Sequence, residues 1–322
     1  MLRAVAFSLA ALGAMPSATA WAQPYPSKPV KIVVPYTAGG SSDFTARTLA
    51  EKLGPLLGGQ VVVENKPGGN TIIATEFVAK SPADGYTLLL AGLSTYGAQP
   101  HLNKKLPYDL QKDFVPVNNA IISPLVLSVH PGVPAKTLPE FITYLKANPG
   151  KVNFGSAGVG NTLHLATELF KMKTGVVIVD VPYKGASQAV VDLLAGNVQM
   201  MIDLVQTPLQ HILAGKLRAL GTTWSTRSAV LPNVPTFAEQ GLDYHFGAMI
   251  GVFAPAGVPK EIVNRLHADM GRVMQMPDVR EAFAKQAMDP LTFPSPDAYA
   301  AQFRRDIDEM GKLVKAAGIQ PQ

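Results

Sequence analysis

Short runs rich in Val, Ile and Leu alternate with stretches of helical periodicity along most of the chain. Strands are predicted over residues 30–34, 60–63, 86–90, 125–129, 152–154, 176–179, 198–202, 217–222 and 246–253. Several of these runs are apolar at consecutive positions, the pattern of a strand covered on both faces. Between them, residues 43–57, 71–80, 138–147, 161–171 and 185–194 carry helical spacing, and Gly196 and Gly215 read as helix C-terminal stops. Such alternation implies an α/β fold with mostly parallel sheets. After Pro259 the character changes. One helix shows Ile262, Leu266, Met270 and Val273 on one side, and another, after Pro296, shows Tyr299, Phe303, Ile307, Met310 and Val314. Both are amphipathic stripes that need a core to cover.

Two glycine-rich segments stand where a predicted strand runs into a predicted helix. The first is Gly39-Gly40-Ser41-Ser42-Asp43; the second is Gly155-Ser156-Ala157-Gly158-Val159-Gly160, followed by Asn161 and Thr162. Glycine lets a backbone approach a ligand closely. A helix start offers unpaired N–H groups and a partial positive charge. Each segment can therefore hold an anion without a charged side chain, although an ordinary turn into a helix would read the same way. Asp43 either meets a ligand amine or completes the cap. His164 is a packed or surface imidazole rather than a catalytic base, Asp203 closes a buried strand at a polar anchor or at the cleft, and Lys184 is a solvated cation or an anion partner. Ser94 and Thr95 are weaker cleft candidates. The two segments suggest two lobes around one small anion. Pro- and Ser-marked stretches at 121–124 and 225–235 look like crossings, which gives residues 23–124 with 229–322 as one lobe and 125–228 as the other.

The first 22 residues read as a signal peptide. Arg3 precedes an apolar run, and Ala20-Trp21-Ala22 fits a small-residue cleavage site, with cutting expected before Gln23 or, alternatively, before Trp21. The run is too short for a permanent membrane span. The 322-residue chain is 47% hydrophobic and 16% charged, which argues against disorder. Its formal charge of +5 is scattered, without the basic stripe and aromatics of a nucleic-acid binder. There is no cysteine, hence no thiol nucleophile, thiolate metal site or disulfide. The six histidines lack metal-binding spacing, and no nucleotide-binding loop or G-x-S-x-G elbow occurs. No enzyme activity, cofactor or metal is expected.

Further stretches carry a resemblance. They include Tyr25-Pro26-Ser27-Lys28-Pro29-Val30, Val62-Val63-Glu64-Asn65-Lys66-Pro67-Gly68, Asp84-Gly85-Tyr86-Thr87, Val181-Pro182-Tyr183-Lys184-Gly185 and Ala254-Pro255-Ala256-Gly257. In order and coverage the chain resembles the Bug (Bordetella uptake gene) or TctC-like periplasmic solute receptors of tripartite tricarboxylate transporters. The resemblance implies a two-lobed, Venus-flytrap periplasmic-binding fold of type II with a hinge. It implies a small carboxylate ligand (a di-, tri- or aromatic acid, with an amino acid among the options), membrane permease subunits as partners, and a periplasmic location. A sensor kinase is the alternative partner. The site it implies comprises Tyr36, Gly39, Gly40, Ser41 and Asp43 from the first loop, Ser156, Ala157, Gly158, Asn161, Thr162 and His164 from the second, and Asp203. The first loop departs from the family pattern, having Thr37-Ala38 before the glycines and Ser41-Ser42 after them.

Overall fold

The computed structural model describes residues 25–321. The expected signal peptide and its cleavage point lie outside them. The first part of the chain runs β1 (Val30–Val34), α1 (Ser41–Leu57), β2 (Val61–Asn65), α2 (Ile72–Ala79), β3 (Thr87–Gly92), α3 (Leu93–Leu102) and β4 (Phe114–Val129). The middle part runs α4 (Leu138–Ala147), β5 (Asn153–Ser156), α5 (Thr162–Thr174), β6 (Val179–Pro182), α6 (Ala186–Ala195), β7 (Met200–Leu204), α7 (Leu209–Leu213) and β8 (Arg218–Thr222). It closes with β9 (Gly247–Pro255), α8 (Lys260–Gln275), α9 (Pro277–Lys285), β10 (Asp289–Pro290) and α10 (Pro296–Ala316).

Strand order is β2-β1-β3-β9-β4-β7-β5-β6, with β8 and β10 also paired to β4. Parallel pairing holds for β1 with β2 and β3, and for β5 with β6 and β7. The sheets are otherwise mixed, which corrects the expectation of mostly parallel ones: β9 is antiparallel to β3 and β4, and β4 is antiparallel to β7 and β8. The cause is β4 itself. Its first part, up to Pro124, pairs with β9; from Leu125 onward it lies between β7 and β8. One 16-residue strand thus serves both lobes. The predicted strand at 176–179 is also displaced. Val176 and Ile178 are buried but precede β6, which starts at Val179.

Side chains alternate across the first sheet as the pleat requires. Ile32 and Val34 pack with Leu49 and Leu53 of α1 on one face, while Val33 and Leu89 pack with Phe303 of α10 on the other. Burying each such aliphatic side chain contributes about 2 kcal/mol. A separate core in the second lobe gathers Leu127 of β4, Phe141 of α4, Phe154 of β5 and Phe170 of α5. Residues 237–246, beyond the expected return crossing near 228, pack into that second core through Phe237, Tyr244 and Phe246. The chain rejoins the first sheet at Gly247. Thr223 fastens this crossing. Its buried hydroxyl donates to the Phe246 carbonyl at 2.6 Å and accepts from the Leu125 amide at 3.0 Å.

Candidate functional site

Four helix starts converge on one cleft of about 400 Å³ between the lobes. Its lining includes Gly40, Ser41 and Ser42 at the start of α1, and Gly92 at the start of α3. The second lobe adds Asn161 and Thr162 at the start of α5, and Gly185 and Ala186 at the start of α6. Tyr36, Thr37, Ala157, Leu163 and Lys184 line it as well, with Asp203, Leu204 and Thr207 from β7 and the turn after it, and Ala248 and Ile250 from β9.

A glycine N-cap sets α1, α3 and α6 apart from the other α-helices, although α2, α7, α8 and α9 also lack a side-chain cap. Thr137 caps α4 by accepting from the Glu140 amide, and Ser295 caps α10 by accepting from the Ala298 amide. In α1, α3 and α6 the N-cap is glycine, and no side chain closes the first turn. Ser, Thr, Asp or Asn is the usual choice there, because the first N–H groups of a helix have no partner within it. Bare glycine caps leave those amides available to whatever enters the cleft. The fourth start, α5, is capped by Asn161, whose Oδ1 accepts from the Leu163 amide at 3.0 Å. Lys184, exposed at the rim, makes no salt bridge among the described residues and adds a cation to four positive helix ends.

The first loop is held open by a residue that does not line the cleft. Gly39 sits at φ +90, a left-handed conformation that glycine adopts without strain. Its amide donates to Asp43 Oδ2 at 2.9 Å; Arg47 Nε donates to the same oxygen at 3.0 Å, and Asn65 Nδ2 donates to Oδ1 at 2.9 Å. These contacts, that of Arg47 foremost, hold the buried Asp43 carboxyl down to about 2. Gly39 and Asp43 therefore shape the loop from inside, while Tyr36, Gly40 and Ser41 reach the cleft.

The second loop divides the same way. Ala157, Asn161 and Thr162 reach the cleft. Ser156 is fully buried, and its Oγ accepts from the Gly158 amide at 3.3 Å, so both residues build the turn. His164 is turned inward beside Phe154, where its Nδ1 accepts from the Gly160 amide at 3.3 Å. Its Nε2 stands 3.8 Å from Asp180 and 3.9 Å from Glu168. His164 is a packing residue here rather than a cleft group. The side chain of Ser94 lies outside the described residues.

Asp203 forms part of the cleft floor and is 1% exposed. Its Oδ1 accepts from its neighbour Leu204's amide at 2.6 Å, while Oδ2 is buried with no hydrogen-bond partner. Burial pushes this carboxyl up to about 7, against the Leu204 amide and the Thr207 hydroxyl, which favour the charged form. Thr207 stands beside the carboxyl without closing a hydrogen bond to Oδ2. While it holds its proton this acid adds no negative charge below the ring of N–H donors, and above about pH 7 it does.

Sequence reasoning missed the α6 start, although Lys184-Gly185 ahead of a helical stretch carried the same signal as the first loop. It also missed Thr207, Ala248 and Ile250, for which no local signal exists. Among the described residues, no group of His, Asp and Glu is arranged to hold a metal ion.

Residues 45–319 match the model of the tripartite tricarboxylate transporter family receptor. The chain belongs to this receptor family. BugT of Bordetella pertussis is 38% identical over 301 residues, which cover 93% of this chain and 92% of that one. An R. palustris protein solved with adipate is 34% identical, with TM-score 0.78 over 92% of this chain and 100% of its own. MatC from Rhodopseudomonas palustris, solved with malate, is 31% identical, with TM-score 0.74 over 90% of this chain and 100% of its own. The receptor family is one of solute-binding proteins rather than enzymes, and its two-lobed fold is the one described above.

Proposed function

We propose that this chain is an extracytoplasmic receptor that captures a small carboxylate in the cleft and delivers it to a tripartite tricarboxylate-type membrane permease. The observation that carries this reading is the set of bare glycine caps at Gly40, Gly92 and Gly185 facing one cavity. Related structures hold adipate and malate, both dicarboxylates, which supports the ligand class. Neutral main-chain donors grip the anion from both lobes, and Lys184 contributes long-range attraction. The lobes turn about the two crossings, Pro124/Leu125 and Phe246/Gly247, and closure strengthens each N–H contact by excluding water. The closed shape is what the permease reads. The likeness to periplasmic transporter receptors and the predicted leader support a periplasmic location for this event.

The test exploits the caps. An added Cβ at Gly40 or Gly185 meets nothing within 4 Å, and neither residue has a positive φ. Gly40→Asp and Gly185→Asp should fill the caps, leaving stability equal or slightly higher. Each puts a carboxylate where the ligand's would sit. Calorimetric titration with adipate, malate and benzoate should find saturable binding to the native chain, weakened about a hundredfold in either variant. Failure of every acid to bind the native chain, or native affinity in both variants, would end this reading.

A further inference from the structure

Strand β9 has a cavity on each face. Ala248 and Ile250 border the carboxylate cleft, whereas Gly247 and Met249 border a second cavity of about 340 Å³. Successive side chains on a strand point to opposite faces. The packing agrees, since Ile250 and Val252 join the α1-side core and Met249 and Phe253 join the α10-side core. The two cavities therefore lie back to back across the strands that connect the lobes.

The rear cavity is apolar along most of its wall, where Trp224, Phe246, Met249, Leu291 and Phe293 meet. Its remaining wall is acidic. There α10 presents Gln302, Asp306 and Glu309. Asp306 Oδ1 accepts from Gln302 Nε2 at 2.8 Å, but its Oδ2 is buried with no hydrogen-bond partner. Burial pushes this carboxyl up to about 6 despite nearby Arg305. The Arg305 guanidinium is spent on Gln302 Oε1 at 2.6 Å, and His245 at the rim faces Asp243 at 3.9 Å. Among the described residues, no lysine or arginine lines the cavity. Aromatic walls attract a cation across their ring faces, and the Asp306 and Glu309 carboxyls add negative charge at one end of the cavity.

We propose that this rear cavity is a second binding site, taking a small organic ammonium compound with an aromatic or alkyl body. The head group lies against Asp306 and Glu309, and the body against Trp224, Phe246 and Phe293.

Trp224 offers a direct readout, because the only other tryptophan, Trp21, falls in the predicted leader. Phenethylammonium chloride should shift Trp224 fluorescence saturably, with matching heat by calorimetry. Phenethyl alcohol, its neutral counterpart, should bind about tenfold or more weakly. Asp306→Asn should lose about tenfold in amine affinity and Glu309→Gln a smaller factor, with thermal unfolding monitored for each. Should Asp306→Asn fail to fold, Glu309→Gln decides alone. Gly185→Asp, which alters only the front cleft, should leave amine binding unchanged, so this result stands apart from the carboxylate reading. The proposal is overturned by absence of saturable amine binding up to about 10 mM, by equal binding of the alcohol, or by native amine affinity in every folded acidic variant.

Discussion

Replacing Asp203 with asparagine keeps the shape of the side chain and removes its titration. In the folded chain burial raises this carboxyl from 3.8 to about 7, whereas the unfolded chain leaves it at its ordinary value. Below about pH 4 both states hold the proton and the group has no effect on stability. As pH rises from about 4 to about 7, the unfolded state releases its proton first, so the folded state loses ground. The rise corresponds to at most about 4 kcal/mol, reached near pH 7 and constant above it. Asparagine carries no such penalty. In scanning calorimetry without ligand, the Tm of Asp203→Asn relative to the native chain should climb across that window by on the order of 8 °C. The same substitution should flatten the pH dependence of carboxylate binding, which in the native chain weakens above about pH 7 as a charge appears on the cleft floor. Parallel Tm curves from about pH 4 to about pH 8 would show that the carboxyl is solvated like any other.

Three further substitutions probe the frame around the cleft. The Asp43 carboxylate, held down at about 2, contributes about 2 kcal/mol above its ordinary range, and this is lost as pH falls through about 2. Asp43→Asn should therefore cost about that much in urea unfolding at neutral pH and nothing near pH 2, and an equal cost at both refutes the assignment. Thr223→Val leaves the Leu125 amide and the Phe246 carbonyl without the hydroxyl that joins them, and should cost about 2–3 kcal/mol. Native stability for that variant would mean the crossing is fastened elsewhere. The Tyr299 hydroxyl is buried without a partner, so Tyr299→Phe should be neutral or stabilising by about 1 kcal/mol; a clear loss in denaturant unfolding contradicts this.

Where the cause of a feature was local, the residues disclosed it. The α4 range, Leu138–Ala147, follows from apolar spacing after a Thr137 cap, and β1 follows from an unbroken Val/Ile run. The first part of β4 was not predicted, since Pro116, Asn118 and Asn119 are poor strand formers. Distant groups help hold these asparagines in a buried strand, although Asn119 Oδ1 is left without a hydrogen-bond partner. Asn118 Oδ1 accepts from the Phe293 amide, and Asn119 Nδ2 donates to the Leu291 carbonyl. Nothing near residue 118 announces residue 293. The cleft shows the same division. Both glycine loops were visible, since cap chemistry spans a few residues. Which of their members line the cleft was not, because a carboxylate such as Asp43 serves equally well inside a turn or at a cleft wall. The Gly185 start could be assigned to the cleft only once the pairing of β6 beside β5 was known.

Helix α10 is 21 residues long and has one end in each lobe. Tyr299, Phe303 and Ile307 are embedded in the core shared with α3 and β9, while Leu313 and Val314 are embedded with Phe154 and Phe170. It acts as a strut set beside the pivot. Any swing of one lobe must bend this rod or shear one of its ends through a packed interior, so the angular travel is stiff and short. The same strut makes melting all-or-none, since neither half can come apart without stripping the other of part of its interior.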